Sequence, residues 1–215
     1  MTKISLLIVP LILMLLLSIS ANVFAKANEA MASLENASSQ SVGTVAFREV
    51  VGGVRITVQV TGLPPGRHGI HIHAVGSCIP PNFTSAGAHF DPFHKFHGLN
   101  NPNGPHAGDL ANLEVAQDGT GSLEYVNPLI TMGAGAANSL FQPNGTSFVI
   151  HANPDDQMTD PSGKSGPRIG CGVILGIAPT FLEQYDTALA IAAMVLIALI
   201  IAVVAIRRKK AQKPK

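Results

Sequence analysis

In the stretch HGIHIHAVGSC, His71 and His73 flank a single isoleucine, and Cys78 follows five residues later. Alternate side chains of an extended strand point to opposite faces, so both imidazoles project from one face, about 7 Å apart along the backbone. Ile70 and Ile72 then occupy the other face. Two long side chains at that separation can converge on one metal ion. The same pattern also fits an edge strand with solvated histidines. Further along stand His89, His97 and His106, then Asp109 within HAGD, and His151 at the end of FVIH. Imidazole nitrogen suits copper and zinc, and a carboxylate among imidazoles is compatible with zinc. A loop histidine taken singly reads as a solvated side chain. It is the grouping that points to metal.

The elements that must position these residues have the periodicity of strands. SVGTVAF, VRITVQV, HGIHIH, GSLEYV and TSFVIH are short, rich in β-branched residues and mostly alternating, with GG, PPG and QDGTG between them. EAMASLEN fits a strand or a helical turn, with a first strand favoured, and no long helical pattern occurs between Asn28 and Ala178. The expected fold class is therefore all-β, a Greek-key antiparallel β-barrel or sandwich. Two long loops interrupt it, Gly76 to Asp109 and Ala152 to Arg168. Loops of that length are commonly functional or bound by something, and the first carries four of the eight histidines.

The two ends have a different character. Ile4 to Ile19 is an apolar run behind Lys3, and Val23-Phe24-Ala25 offers small residues for cleavage, so residues 1–25 read as a signal peptide, with an uncleaved anchor as the alternative. Ala188 to Ile206 carries no charge or amide and is followed by Arg207-Arg208-Lys209-Lys210. A helix over 188–206 would reach about 28 Å at 1.5 Å per residue, close to the hydrocarbon thickness of a bilayer. The expected organisation is a signal at 1–25, a domain at 26–178, a short stalk at 179–187, a transmembrane helix at 188–206 and a basic cytoplasmic tail at 207–215. The domain would face outward from a cell membrane that the chain crosses once. Between Lys26 and Asp186 the chain holds seven Lys/Arg against all thirteen Asp/Glu, a balance of about −6, which is the wrong sign for a nucleic-acid binder. Two cysteines in an exported domain suit one disulfide. Sequons at Asn36, Asn82 and Asn144 permit glycosylation.

GIHIHAVGSC, SAGAHFDP, HKFHG, HAGDL, FVIHANPDD and PRIGCGVI resemble, in order and internal spacing, the signature segments of the copper–zinc superoxide dismutase family. The resemblance covers roughly Asn28 to Ala178. It implies copper on His71, His73, His89 and His151, and zinc on His89, His97, His106 and Asp109, with His89 shared as a bridge. It also implies that Asp155 ties a copper histidine to a zinc histidine, that Cys78 pairs with Cys171, that Arg168 guides the anion, and that His68 is structural. The implied reaction is disproportionation of superoxide to dioxygen and hydrogen peroxide by copper redox cycling, with His89 and Arg168 as the catalytic residues.

Departures from the family pattern are also visible. The His73–Cys78 segment is shorter than in cytosolic enzymes and looks more like exported bacterial forms, and the His151–Arg168 loop is short. His94 is extra, and NPLITMGAGAANSLFQPNG, around 127–145, has no counterpart in the resemblance. The rival reading is a non-catalytic surface copper/zinc-binding or copper-transfer module on the same fold. A lost copper ligand or a lost arginine would favour it, and the chain lacks neither. The partners expected are superoxide and the membrane, with no nucleic acid, and a homodimer is compatible with the sequence.

Overall fold

A computed structural model describes residues 29–177, 189 and 191–203. The chain divides into two units, Lys26–Ile177 and the two ends. The first holds ten strands: β1 (Glu29–Glu35), β2 (Ser41–Val50), β3 (Gly53–Val60), β4 (Gly66–His68), β5 (Ile70–His73), β6 (Leu113–Val115), β7 (Gly121–Asn127), β8 (Ser147–His151), β9 (Arg168–Val173) and β10 (Leu175–Ile177).

Their order in one antiparallel sheet is β4-β6-β7-β3-β2-β1-β9-β8-β5, with β10 added to β1. The strands at the two extremes, β4 and β5, are separated in the chain only by Gly69. The sheet must therefore curl until its edges meet, which makes a nearly closed barrel and leaves little free edge. The antiparallel barrel expected from the strand pattern is what forms.

The interior follows from alternation. Ala30, Ala32 and Leu34 of β1 and Val54, Ile56, Val58 and Val60 of β3 point inward, and the residues between them face outward or lie half-buried. Each fully buried valine, leucine or isoleucine side chain among them contributes about 1.5–3 kcal/mol. In β2 the phase slips, because Val42 is buried and the next inward residue is Val45. Gly43 sits at the slip with φ of 148°, where a side chain would run into the backbone carbonyl of Gln59.

Residues 127–145 prove to be the β7–β8 connection. Ile130, Met132 and Leu140 pack into the main core, and Asn127 donates from Nδ2 to the carbonyl of Ala107 at 2.8 Å. The segment is held together by its own contacts, including a bridge between Thr131 and Ser139. It is part of the barrel rather than an appendage.

In the second unit the described helical residues are 189 and 191–203, and among the described residues no helix is long and apolar enough to cross a membrane. The transmembrane helix expected over 188–206 is therefore not supported by the described residues. Its remaining positions, together with the signal at 1–25, the stalk at 179–187 and the tail at 207–215, lie outside the described residues.

Candidate metal centre

Strand β5 is buried on both faces. Ile70 and Ile72 join the apolar core, and His71 and His73 are both fully buried. Antiparallel pairing sets His71 opposite Val149 and ends β8 at His151, which faces Arg168 at the start of β9. The long loop returns alongside, with His89 bridging to His73 and Asp109 to His71. Residues far apart in the chain thus meet on the face of β5 turned away from the apolar core.

The hydrogen bonds of these rings decide what they can do. His71 donates from Nε2 to Asp155 Oδ2 at 2.7 Å, His73 from Nδ1 to the carbonyl of Gly87 at 2.9 Å, and His151 from Nδ1 to the carbonyl of Gly166 at 3.0 Å. Each bond fixes the tautomer and leaves the other nitrogen with a lone pair. Those nitrogens, His71 Nδ1, His73 Nε2 and His151 Nε2, are buried with no hydrogen-bond partner, and so is His89 Nε2. One ligand atom from each of these four residues lies within 4.8 Å of the others. Orphaned buried acceptors are costly unless something occupies the space between them. Four convergent imidazole lone pairs fit copper.

A second set gathers on one carboxylate oxygen. Asp109 Oδ1 lies 3.0 Å from His89 Nδ1, 3.0 Å from His97 Nδ1 and 3.3 Å from His106 Nδ1. Ligands held about 2.0–2.1 Å from a tetrahedral zinc are about 3.3 Å from one another, so these spacings are those of a ligand shell. Asp109 Oδ2 is separately engaged by the backbone N–H groups of Gly98 and His106, which hold Oδ1 toward the rings. Mutual spacing alone would put His71 in this group with His89, His97 and Asp109. However, the single free nitrogen of His71 already belongs to the first set, and His106 takes the place by its approach to Asp109. His89 offers one nitrogen to each set.

Asp155 links the two. Its Oδ2 accepts from His71 and its Oδ1 lies 3.0 Å from His97 Nε2. Its backbone is clamped by the Asn112 side chain, which donates to the carbonyl and accepts from the N–H at 2.8 and 2.7 Å. Gly163 packs against the same carboxylate so closely that a side chain there would overlap it. Arg168 donates from Nη1 to the carbonyl of Phe83 and from Nη2 to that of Gly87, both at 2.6 Å. Gly87 thereby serves Arg168 and His73 together. The loop carrying both carbonyls is tied to β9 by the Cys78–Cys171 disulfide, with Cα atoms 5.6 Å apart.

Electrostatics separate the two sets. Burial first, then the neighbouring His89, holds His71 down at about 3. Burial likewise lowers His151 to about 4, and His73 lies well below its ordinary value. These rings stay neutral, which is the metal-binding form. On the other side burial also opposes charge on His97, yet the Asp109 and Asp155 carboxylates outweigh it and raise His97 to about 9. Burial would raise Asp109, but His106, His89 and His97 together hold it far below the carboxylate range.

His68 bonds through its two ring nitrogens to the carbonyls of His151 and Pro64 at 2.8 Å each, a structural placement. His94 is exposed, in a left-handed backbone at φ 53°, and belongs to neither set. Asn112 and Gly163 carry no sequence signature, because nothing in their local sequence separates them from other loop residues.

A Greek-key barrel that presents one all-imidazole set beside one imidazole–carboxylate set defines a two-metal β-barrel protein. Residues 41–174 match the family model described as copper/zinc superoxide dismutase. A copper–zinc superoxide dismutase 2 of Aquifex aeolicus is 45% identical over 160 residues, which cover 74% of this chain and 93% of that one. The Caulobacter vibrioides copper–zinc enzyme is 41% identical over 147 residues, covering 67% of this chain and 84% of that one. The crystal structure of a superoxide dismutase-like protein from Bacillus subtilis superposes with a TM-score of 0.65 at 40% identity, covering 67% of this chain and 97% of that one. The chain belongs to the copper/zinc superoxide dismutase family, an oxidoreductase family that implies copper and zinc.

Proposed function

We propose that this chain converts superoxide to dioxygen and hydrogen peroxide at the outer face of a membrane. Copper would be held by His71, His73, His89 and His151, and zinc by His89, His97, His106 and Asp109. The observation that carries the reading is the set of four buried, partnerless imidazole nitrogens, one from each proposed copper ligand. Copper supplies one-electron redox chemistry, and zinc a fixed charge without redox. Two superoxide ions and two protons give one dioxygen and one hydrogen peroxide.

The chain's own residues set the stage for that exchange. The carbonyls of Gly87 and Gly166 and the carboxylate of Asp155 aim three rings inward. His89 Nε2 is buried without a partner and Nδ1 is anchored toward Asp109, so Nε2 is the atom at which a proton can be held for the departing peroxide. Arg168 is locked by two carbonyls, and its charge is felt at His73 and His151. A fixed cation there offsets the negative balance of the domain and favours a small anion. The outward, single-pass placement rests on the apolar run at 188–206 and the basic cluster behind it.

The test is superoxide turnover and metal content of the full chain in detergent, loaded with both metals, beside His71→Ala. Turnover in the wild type, with copper and activity lost and zinc kept in His71→Ala, is the expected result. Wild-type chain that binds both metals without turnover would instead show a metal-binding or copper-transfer module. Protease added to intact cells should release the active domain, and full protection would reverse the orientation.

A further inference from the structure

The outer nitrogens of the three zinc-side histidines are not treated alike. His97 Nε2 is taken by Asp155 at 3.0 Å, and His89 Nε2 belongs to the all-imidazole set. His106 Nε2 faces one carboxylate, Asp91, whose Oδ2 is 4.0 Å away. The two oxygens of Asp91 have separate tasks. Oδ1 accepts the backbone N–H of Lys95 at 3.1 Å and closes the turn 91–95, which leaves Oδ2 turned toward the ring. The Asp91 side chain is 20% exposed and that of His106 10%, so the pair sits at the rim of the buried set.

We propose that Asp91 is a positioning residue for this set: its carboxylate attracts the Nε2–H edge of His106, and so aims Nδ1 at the ion shared with Asp109. The inference rests on the zinc reading of His89, His97, His106 and Asp109. The physical reason is general to ligating imidazoles. A partner on the far nitrogen fixes the tautomer and raises the basicity of the ligating one. Without Asp91, nothing among the described contacts would keep the His106 proton on Nε2, and the ring would exchange tautomers and orientations at the rim. Asp91 lies two residues after His89, so one short segment supplies both a shared ligand and the partner that orients a third ligand.

Two substitutions separate positioning from turn closure. Asp91→Asn keeps an oxygen for the Lys95 N–H and removes the charge, whereas Asp91→Ala removes both. The experiment measures zinc affinity of the full chain by competition with a chelator, with copper content and the 15N resonances of His106 as further readouts. The expected result is that both variants bind zinc about tenfold or more weakly. Copper content should be unchanged, and the His106 ring should shift toward a mixture of tautomers. Asp91→Asn that matches wild type in zinc affinity and in the His106 resonances, with only Asp91→Ala impaired, would reduce Asp91 to a turn residue and overturn the proposal. Wild-type chain that takes up no zinc would instead sink the site reading, and the proposal with it.

Discussion

Gly163 offers a measurable handle on the link between the two metal sets. It lies buried in the loop between β8 and β9 at φ 62°, and a methyl group there would overlap the Asp155 carboxylate and come within 2.8 Å of His97 Nε2. The backbone cannot simply retreat, because the Gly163 N–H donates to Thr159 at 2.7 Å and its carbonyl accepts from Asp156 at 2.9 Å. Gly163→Ala must therefore move Asp155. Two costs add. The left-handed backbone costs alanine roughly 1–2 kcal/mol. Displacing Asp155 from His71 and His97 loses two charge-assisted hydrogen bonds, worth about 1.5–3 kcal/mol each. Gly62 is the control, since it has φ of 70° with nothing within 4 Å of an added methyl, so Gly62→Ala carries the backbone cost alone. For a domain of this size, Gly62→Ala should lower the melting midpoint by roughly 3–6 °C, and Gly163→Ala by more than about 10 °C. Because Asp155 touches a ring of each set, Gly163→Ala should also loosen both copper and zinc, about tenfold or more, with Gly62→Ala unchanged. The assay is thermal melting with chelator competition on the full chain. Equal effects of the two alanines on midpoint and on metal affinity would refute the reasoning.

Two further outcomes follow from the same geometry. Cys171→Ser opens a cross-link spanning 93 positions, for which the chain-entropy model gives at most about 4–5 kcal/mol; the loop bearing Phe83 and Gly87 is also freed, so melting midpoint and copper retention should fall together. The metal-free chain should be most stable near pH 6.5 in urea titrations from pH 5 to 9. His71 and His151, lowered to about 3 and 4, make the unfolded state the better proton binder below pH 6.5 and cost up to about 2 kcal/mol each by pH 5, whereas His97, raised to about 9, loses its contribution as pH climbs from 6.5 through 9. A flat profile across that range would show that these rings are not held as described.

How much of this was legible in the sequence depends on the distance over which each feature is decided. Alternation in β1 and β3 is a local property, and burial follows it residue by residue. The glycines of β9 hide the same alternation, because Gly170 and Gly172 leave no apolar side chain to count; Gly172 is needed where a side chain would strike the carbonyl of Ser33 on β1. The β7–β8 connection looked like an insertion because Ile130, Met132 and Leu140 follow no strand or helix period, and their burial is set by the barrel they pack into. The same division holds within the metal centre. Its histidines and Asp109 stand out because chemistry restricts residue type, and few other side chains can offer a neutral nitrogen or a hard oxygen to a metal. The residues that aim them are under a weaker restriction. A carbonyl from Gly87 or Gly166 carries no side-chain signature, Asn112 acts through an amide that many loops contain, and Gly163 acts by having nothing where Asp155 must sit. The ligands of this site are written in residue types, but their tautomers are written in backbone positions that only the folded barrel brings within 3 Å.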